Sequence, residues 1–194
     1  MSESWDDYAA EWNDNRDAIL YSIKAFNSLT ETINPKGLNI LDFGCGTGLL
    51  TEKISPIADN IVALDSSKKM IGVLQSKNLP NITTVIDTLT ENTINVNTAL
   101  HNKFDLIVAS SVLGFIPDYE STLSLLKSLL ASDGILIQWD WLSSADNSDF
   151  GLSIEKTKSA HLRAGFNLTS VTTPFSLANS TGTQTVLMAV SKNT

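Results

Sequence analysis

Apolar residues recur along the chain with two alternating periods. Between Asp14 and Ile33 they fall at three- and four-residue steps, at Ile19, Leu20, Ile23, Phe26 and Leu29. This spacing predicts one leading helix with a buried apolar stripe. Pro35-Lys36-Gly37 ends it, and short apolar runs then alternate with further helical patterns. We therefore expect strands and helices to alternate over most of the chain.

The expected strands are short and apolar throughout, which is typical of strands buried on both faces. They are predicted at Asn39 to Phe43, Asn60 to Leu64, Ile82 to Ile86, Phe104 to Ala109, Ile135 to Trp139, Phe166 to Thr173 and Thr185 to Ser191. A turn at Asp133-Gly134 is expected to lead into the fifth strand. Helices are predicted over Gly48 to Ile57, from a Ser66 cap through Gln75, along the stripe Leu123, Leu126, Leu129 and Leu130, and over Ser153 to Ala164 before Gly165. Thr88 to Lys103 is expected to form only a short irregular helix and a surface loop.

Alternation of this kind predicts a parallel sheet with right-handed crossovers. The last two expected strands differ, because only the turn-rich segment Pro174 to Thr183 joins them. A hairpin is the natural connection. The predicted fold is α/β, a doubly wound, mostly parallel seven-stranded sheet with helices on both faces and a C-terminal antiparallel hairpin. The length favours a single domain over residues 1–194, with 1–34 as an N-terminal helical cap.

Charge and cysteine content narrow the function classes. The chain carries 13 Lys and Arg against 21 Asp and Glu, a net charge of −8, and its basic residues are scattered. A nucleic-acid partner is therefore not expected. The single Cys45 excludes an internal disulfide and favours a reducing compartment, so a cytoplasmic location is expected. No secretory leader or membrane-spanning stretch is expected from the sequence.

Three glycines stand between the first expected strand and the following helix. The segment Leu41-Asp42-Phe43-Gly44-Cys45-Gly46-Thr47-Gly48 has the spacing G-x-G-x-G. Missing side chains let the backbone approach a ligand closely at the carboxyl edge of such a sheet. The dinucleotide fingerprint is G-x-G-x-x-G, with its third glycine one place later. This spacing favours a nucleotide-like ligand other than NAD.

Acidic residues close the first three expected strands, at Asp42, Asp65 and Asp87. In a doubly wound sheet these strand ends meet at the ligand site. A carboxylate at Asp65 can accept hydrogen bonds from ribose hydroxyls, and NAD enzymes also have an acid at this place. Asp65 alone therefore does not distinguish between the two cofactors.

At these residues the chain resembles the class I S-adenosylmethionine-dependent methyltransferases, over nearly its entire length. Their first motif reads acid-x-G-x-G-x-G, and their sheet ends in an antiparallel hairpin. The resemblance implies that Asp42 reaches the methionine ammonium, Asp65 the ribose and Asp87 the adenine amino group. The cofactor-binding residues it implies are Tyr8, Trp12, Asp42, Gly44, Cys45, Gly46, Gly48, Asp65, Ser66, Met70, Asp87, Thr88, Leu89 and Ser110.

The end of the fourth expected strand differs from two branches of that family. Ala109-Ser110-Ser111-Val112 is not the Asn/Asp-Pro-Pro-Tyr/Phe motif of amino-directed nucleic-acid methyltransferases. It also lacks the Asp that serves as a metal ligand in catechol-type members. The comparison with these two branches therefore implies no metal, and together with the acidic net charge it leads us to expect a small-molecule acceptor.

Acceptor-site candidates follow the fifth expected strand. Trp139 and Trp141, with Trp5, are candidates for the acceptor pocket, and Asp140 or His161 for a general base. The non-catalytic alternatives are that Asp140 caps a turn and that His161 has a structural role. The aromatic residues Trp5, Tyr8 and Trp12 either fasten the leading segment to the domain or close over the cofactor as a lid.

The sequence thus predicts a methyltransferase that moves a methyl group from S-adenosylmethionine to oxygen, nitrogen or carbon of a small molecule by in-line displacement, releasing S-adenosylhomocysteine. Two alternatives remain open: an NAD(P)-dependent oxidoreductase, and a non-catalytic S-adenosylmethionine-binding protein. The sequence predicts no particular oligomeric state.

Overall fold

The strands form one seven-stranded sheet with the order β3-β2-β1-β4-β5-β7-β6. The computed structural model describes residues 5–143, 151–179 and 182–194. The strands are β1 Asn39–Phe43, β2 Asn60–Asp65, β3 Ile82–Ile86, β4 Phe104–Ser110, β5 Leu130–Trp141, β6 Asn167–Asn179 and β7 Gly182–Lys192. Strands β1 to β5 pair in parallel, and β7 is antiparallel to both β5 and β6. The predicted fold, including its terminal hairpin, is confirmed.

The strand order reverses between β1 and β4. From β1 the chain winds outward through β2 to β3, then returns to the other side of β1 for β4 and β5. Loops leaving adjacent carboxyl ends at such a point diverge, and a crevice remains between them. The glycine-rich turn after β1 lies at this crevice.

Helices and short 3₁₀ turns connect the strands. The α-helices are α1 Trp5–Tyr8, α2 Arg16–Thr32, α3 Thr51–Ile54, α4 Lys68–Ser76, α5 Glu91–Val96, α6 Tyr119–Leu129 and α7 Ile154–Arg163. Within the described residues, no helix is both long and apolar enough to cross a membrane. The expected short helix and loop between β3 and β4 are present as α5 and a 3₁₀ turn.

The core has two layers, one on each face of the sheet. Alternate residues of β1 and β4 enter different layers: Ile40 and Leu106 pack with α2, whereas Leu41 and Ile107 pack with α6. Burial on both faces explains why these strands are apolar without alternation.

The leading helix differs from its predicted orientation. Leu20 and Ile23, assigned to its buried stripe, are 36% and 38% exposed. The buried face instead carries Tyr21, Ser22, Ala25, Ser28 and Leu29. Small residues at this face allow α2 to lie close to the sheet, so packing distance overrides residue hydrophobicity here.

Four local predictions are corrected by the structure. The helix expected over Gly48 to Ile57 shortens to α3, and the cap of α4 is Ser67 rather than Ser66, because the Ser67 hydroxyl accepts from the Met70 N–H. Most of the expected turn Pro174 to Thr183 is strand: Phe175 and Leu177 are buried, and Pro174 lies at a register shift, where it interrupts no ladder bond.

The fourth correction concerns the turn expected at Asp133-Gly134, which lies inside β5. Asp133 has φ 64°, and the pairing of β5 with β4 shifts register between Phe104 and Leu106. Main-chain bonds join Asp133 N–H to the Asn193 carbonyl and Asn193 N–H to the Gly134 carbonyl. The segment is therefore an irregularity within the strand, held by the last residues of the chain.

A buried hydrogen bond joins α2 to strand β5 of the sheet. The Trp139 indole N–H donates to Ser28 Oγ at 2.9 Å, and the Ser28 hydroxyl donates to the Ala25 carbonyl. Both side chains are buried. We expect Ser28→Ala to lower the free energy of unfolding by about 1–3 kcal/mol, because a buried indole N–H loses its partner.

Urea denaturation measures this loss. The matched control is Ser124→Ala, since Ser124 is an exposed serine of α6 whose hydroxyl also bonds to a helix carbonyl. That change should stay within about 0.5 kcal/mol. Equal effects of the two substitutions would show that the indole bond contributes nothing.

Candidate functional site

A cavity of about 520 Å³ lies at the carboxyl ends of β1 to β5. Its volume is typical of small-molecule and cofactor sites. The sequence-predicted residues that line it are Trp5, Trp12, Asp42, Gly44, Cys45, Gly46, Asp65, Ser66, Met70, Asp87, Thr88, Leu89, Ser110 and Trp141. The predicted constellation therefore converges in space, and the binding role of each residue stays a prediction.

The three glycines of the first turn have different structural tasks. All three have positive φ: 68° at Gly44, 55° at Gly46 and 77° at Gly48. A Cβ at Gly44 would lie 2.3 Å from Val112 Cγ2, and one at Gly48 would lie 2.4 Å from Leu74 Cδ1. These two glycines permit close packing, and Gly48 is not part of the cavity lining.

Gly46 is the glycine that leaves room for a ligand. A Cβ there would approach nothing nearer than the Met70 sulfur at 4.0 Å. Its N–H donates to Asp65 Oδ2 at 2.8 Å, which fixes the turn against the end of β2. The backbone at Gly46 thus borders open cavity space.

Asp42 is a buried carboxyl group at the wall of this cavity. The side chain is 1% exposed, and the Thr51 hydroxyl donates to its Oδ2 at 2.6 Å. Burial raises the pKa of Asp42 to about 7, against the lowering effect of the Thr51 bond. Such an environment favours either a proton or a cationic partner on the carboxyl group.

Asp65 links the glycine turn to the start of α4. Its second oxygen accepts from the Ser67 N–H at 2.8 Å. Burial raises the pKa of Asp65, and its bonds to Ser67 and Gly46 oppose that effect. Further lone pairs remain on both carboxylate oxygens for a ligand hydroxyl.

Asp87 occupies the more open end of the cavity. It is exposed, and its oxygens accept from the Thr88 N–H at 2.8 Å and the Thr93 hydroxyl at 3.1 Å. Leu89 and Met70, both buried, provide apolar surface nearby in the lining. A carboxylate at the edge of this region and apolar side chains over its faces together suit a flat heterocyclic ring.

The N-terminal segment lies against the rim of the cavity. Trp5 and Trp12 line it, and the Trp5 ring meets Phe115 edge-on at 5.5 Å between centroids. Asp6 accepts from the Ser67 hydroxyl and the Lys69 N–H. Tyr8 is not in the cavity lining; it borders a separate surface concavity. These contacts fasten the segment and place two of its three aromatic rings at the site.

The structure does not bring Trp139, Asp140 or His161 to the cavity lining. Trp139 is fully buried beside Ser28. His161 engages Ser191 Oγ and Gln138 Oε1, each at 2.7 Å, and burial lowers its pKa to about 4. This is the environment of a neutral structural histidine.

Asp140 lies one layer behind the cavity wall. It accepts from the Gly114 N–H at 2.8 Å and from Gln138 Nε2 at 3.0 Å, and burial raises its pKa to about 7. These bonds position the segment that contains Phe115, which does line the cavity. Trp141, at the end of the same strand, also lines it.

Sequence reasoning missed several lining residues, among them Tyr21, Ser111 and Phe115. The spacing of Tyr21, Ala25 and Ser28 at four and three residues was a usable signal for the inner face of α2. A search for apolar residues alone does not detect this face of α2, because it also carries small and polar residues. Ser111, with φ 55°, has no such signal.

Comparison with known proteins identifies the family. A family model described as a methyltransferase domain matches residues 12–178. The chain belongs to the methyltransferase domain family. This membership favours the predicted methyltransferase over the NAD(P)-dependent oxidoreductase.

Curated relatives of this methyltransferase domain are distant and longer. An uncharacterized methyltransferase of Schizosaccharomyces pombe is 30% identical over 152 residues, covering 74% of this chain and 53% of the relative. A ubiquinone biosynthesis O-methyltransferase of Actinobacillus pleuropneumoniae is 33% identical over 104 residues, covering 52% and 44%. The chain thus spans about half the length of these relatives.

Solved structures of methyltransferases share the fold over almost the whole chain. The DhpI complex with SAH has a TM-score of 0.73 at 19% identity and covers 96% of this chain and 92% of its own. The N-methyltransferase NodS of Bradyrhizobium japonicum has a TM-score of 0.71 at 17% identity and covers 98% and 99%. The class I methyltransferase fold is confirmed.

The buried Asp42 gives the methyltransferase domain a specific pH dependence. Its pKa is about 7 in the folded protein against an ordinary value of 3.8, so the folded chain keeps a proton that the unfolded chain releases. Below about pH 4 Asp42 is protonated in both states and does not disfavour folding. As the pH rises toward and through about 7, the unfolded chain releases the proton more readily than the folded chain does, and the folded protein becomes less stable. We expect Asp42→Asn to be more stable than wild type by about 2 kcal/mol at pH 8.

Near pH 4.5 the two proteins should differ much less, because Asp42 is then protonated in the fold. Urea unfolding at both pH values measures the difference. An Asn variant that is less stable at pH 8, or that differs from wild type equally at both values, would contradict the assignment of a buried charge at Asp42.

Proposed function

We propose that this chain binds S-adenosylmethionine in the cavity and transfers its methyl group to a small-molecule acceptor, releasing S-adenosylhomocysteine. The observation that carries the proposal is the pairing of an open glycine turn at Gly46 with the buried carboxyl of Asp42. A cationic ammonium is the partner that best relieves a buried carboxylate.

The comparisons support both the cofactor and the size of the acceptor. The DhpI and NodS structures are complexes with SAH, the demethylated cofactor. One curated relative is named for ubiquinone biosynthesis. The net charge of −8 adds a further reason to expect a small acceptor rather than a nucleic acid.

The residues present fit such a cofactor along the whole edge of the sheet. Asp42 would hold the ammonium, the backbone near Gly46 the methionine moiety, and Asp65 the ribose hydroxyls. Asp87, with Leu89 and Met70, would hold the adenine. When bound, S-adenosylmethionine supplies a methyl group already activated on a sulfonium. The chain's own task is to hold the acceptor in line and exclude water.

If the acceptor must lose a proton, we propose that a buried carboxyl group removes it. Asp140, with its pKa raised to about 7 by burial, would be a suitable base for an acceptor that reaches past Gly114. His161 is less suited, because burial lowers its pKa to about 4 and so makes it a weaker base. We also propose that residues 1–194 form a single domain and that the protein is located in the cytoplasm.

Substitution of Gly46 tests the cofactor site. Gly46→Ala places a methyl group in the open space and in a backbone conformation with φ 55°. We expect binding of S-adenosylhomocysteine, measured by titration calorimetry, to weaken at least about tenfold.

The matched control is Gly72→Ala, since Gly72 is an exposed glycine of α4 where an added Cβ would have no atom within 4 Å. That change should leave the affinity unaltered and slightly stabilise the helix. If wild type binds NAD(H) and not S-adenosylhomocysteine, the proposal is wrong. If it binds the cofactor but labels nothing in a methyl-transfer screen of a metabolite extract, the non-catalytic alternative holds.

A further inference from the structure

The cavity has two chemically different halves. Asp42 and Asp65 lie at the carboxyl ends of β1 and β2, and Asp87 follows β3, on one side of the point where the strand order reverses. Trp141 is the last residue of β5, on the other side of that point, and Tyr21 packs against it with ring centroids 5.1 Å apart. We call Trp5, Tyr21, Phe115 and Trp141 the aromatic half. All four line the cavity.

The Tyr21 hydroxyl is the unusual group in this half. Its side chain is 5% exposed, and among the residues that the structure describes no group meets hydrogen-bond geometry with its oxygen; the Ser111 side chain lies close enough only to influence its pKa. An unpaired buried hydroxyl is costly to a fold, and a ligand that accepts a hydrogen bond from it removes that cost. Tyr21 lines the cavity, so a ligand can reach it.

Protonation leaves this hydroxyl a donor. Burial, with a smaller effect of the nearby Asp140 carboxyl, raises the pKa of Tyr21 well above its ordinary value, and the Ser111 side chain only partly opposes this. The phenol therefore stays protonated near neutral pH and offers a hydrogen bond to an oxygen or nitrogen atom.

The described lining of the cavity contains carboxyl groups but no Lys, Arg or His side chain. The carboxyl groups belong to Asp17, Asp42, Asp65 and Asp87. The remaining segments, residues 1–4, 144–150 and 180–181, contain no Lys, Arg or His in their sequence. An anionic acceptor would thus lose its hydration with no cationic side chain to replace it.

We infer that the aromatic half binds an uncharged, ring-containing acceptor whose hydroxyl or amine accepts a hydrogen bond from Tyr21, and that it discriminates against carboxylates and phosphates. The inference rests on the proposed function, because it assigns the acceptor side of that site. Flat aromatic walls at Trp141 and Phe115 suit a ring, and Tyr21 fixes its polar end.

A pair of phenolic probes of similar size, one neutral and one anionic, tests the acceptor class. 4-Hydroxybenzyl alcohol and 4-hydroxybenzoate are titrated by ligand-observed NMR into protein saturated with S-adenosylhomocysteine. We expect the alcohol to bind at least about tenfold more tightly than the carboxylate.

Tyr21→Phe tests the anchoring hydroxyl. The substitution should weaken binding of the alcohol about three- to tenfold and leave the affinity for S-adenosylhomocysteine unchanged. It should not reduce the stability of the free protein, since it removes an unpaired buried hydroxyl. Tyr119→Phe is the matched control: its hydroxyl donates to Gln138 at 2.8 Å outside the cavity lining, so this change should lower stability and leave probe binding intact.

The outcomes separate this inference from the proposed function. Equal or tighter binding of the carboxylate overturns the inference, as does unchanged binding of the alcohol to Tyr21→Phe. Failure of both probes to bind, with S-adenosylhomocysteine bound normally, also overturns it. Failure of wild type to bind S-adenosylhomocysteine contradicts the proposed function itself.

Discussion

A carboxyl group held away from water at the end of β1 is the constraint on which this site depends. Asp42 is buried by the turn that follows it, and that turn closes tightly only because Gly44 has no side chain to meet Val112. Burial of this kind destabilises the ionised form and keeps the group ready for a cationic partner. The stability of the free protein and the chemistry of the cavity are thus linked through one residue.

The order of the strands places two chemically different surfaces on opposite sides of the cavity. At the reversal between β1 and β4, acidic strand ends lie to one side and an aromatic wall to the other. The acidic side suits the polar, partly cationic cofactor that the family and the fold point to. The aromatic side carries a hydroxyl, on Tyr21, with which no group among the described residues meets hydrogen-bond geometry. Under the proposals made above, the cofactor and the acceptor therefore bind in different halves of a single cavity.

Sequence reasoning succeeded where local pattern and position in the fold agree. The apolar runs predicted the strands, and because parallel strand ends share an edge, Asp42, Asp65 and Asp87 were expected together. It failed where close packing decides: α2 buries Tyr21 and Ser28 instead of Leu20 and Ile23. Proximity to a strand end did not place Trp139 or Asp140 in the cavity lining. The Trp139 indole is bonded to Ser28 of α2 in the core, and the Asp140 carboxyl is held by Gly114 N–H and Gln138 Nε2.

Proton release on cofactor binding tests the central claim most directly. Calorimetric titration of S-adenosylhomocysteine at pH 7, repeated in buffers of different ionisation enthalpy, measures the protons exchanged. Because the pKa of Asp42 is about 7 in the free protein, a cationic ammonium beside it should expel roughly half a proton per site. Asp42→Asn should abolish that release. Binding with no net proton release from wild type, or with the same release from the Asn variant, would contradict the account.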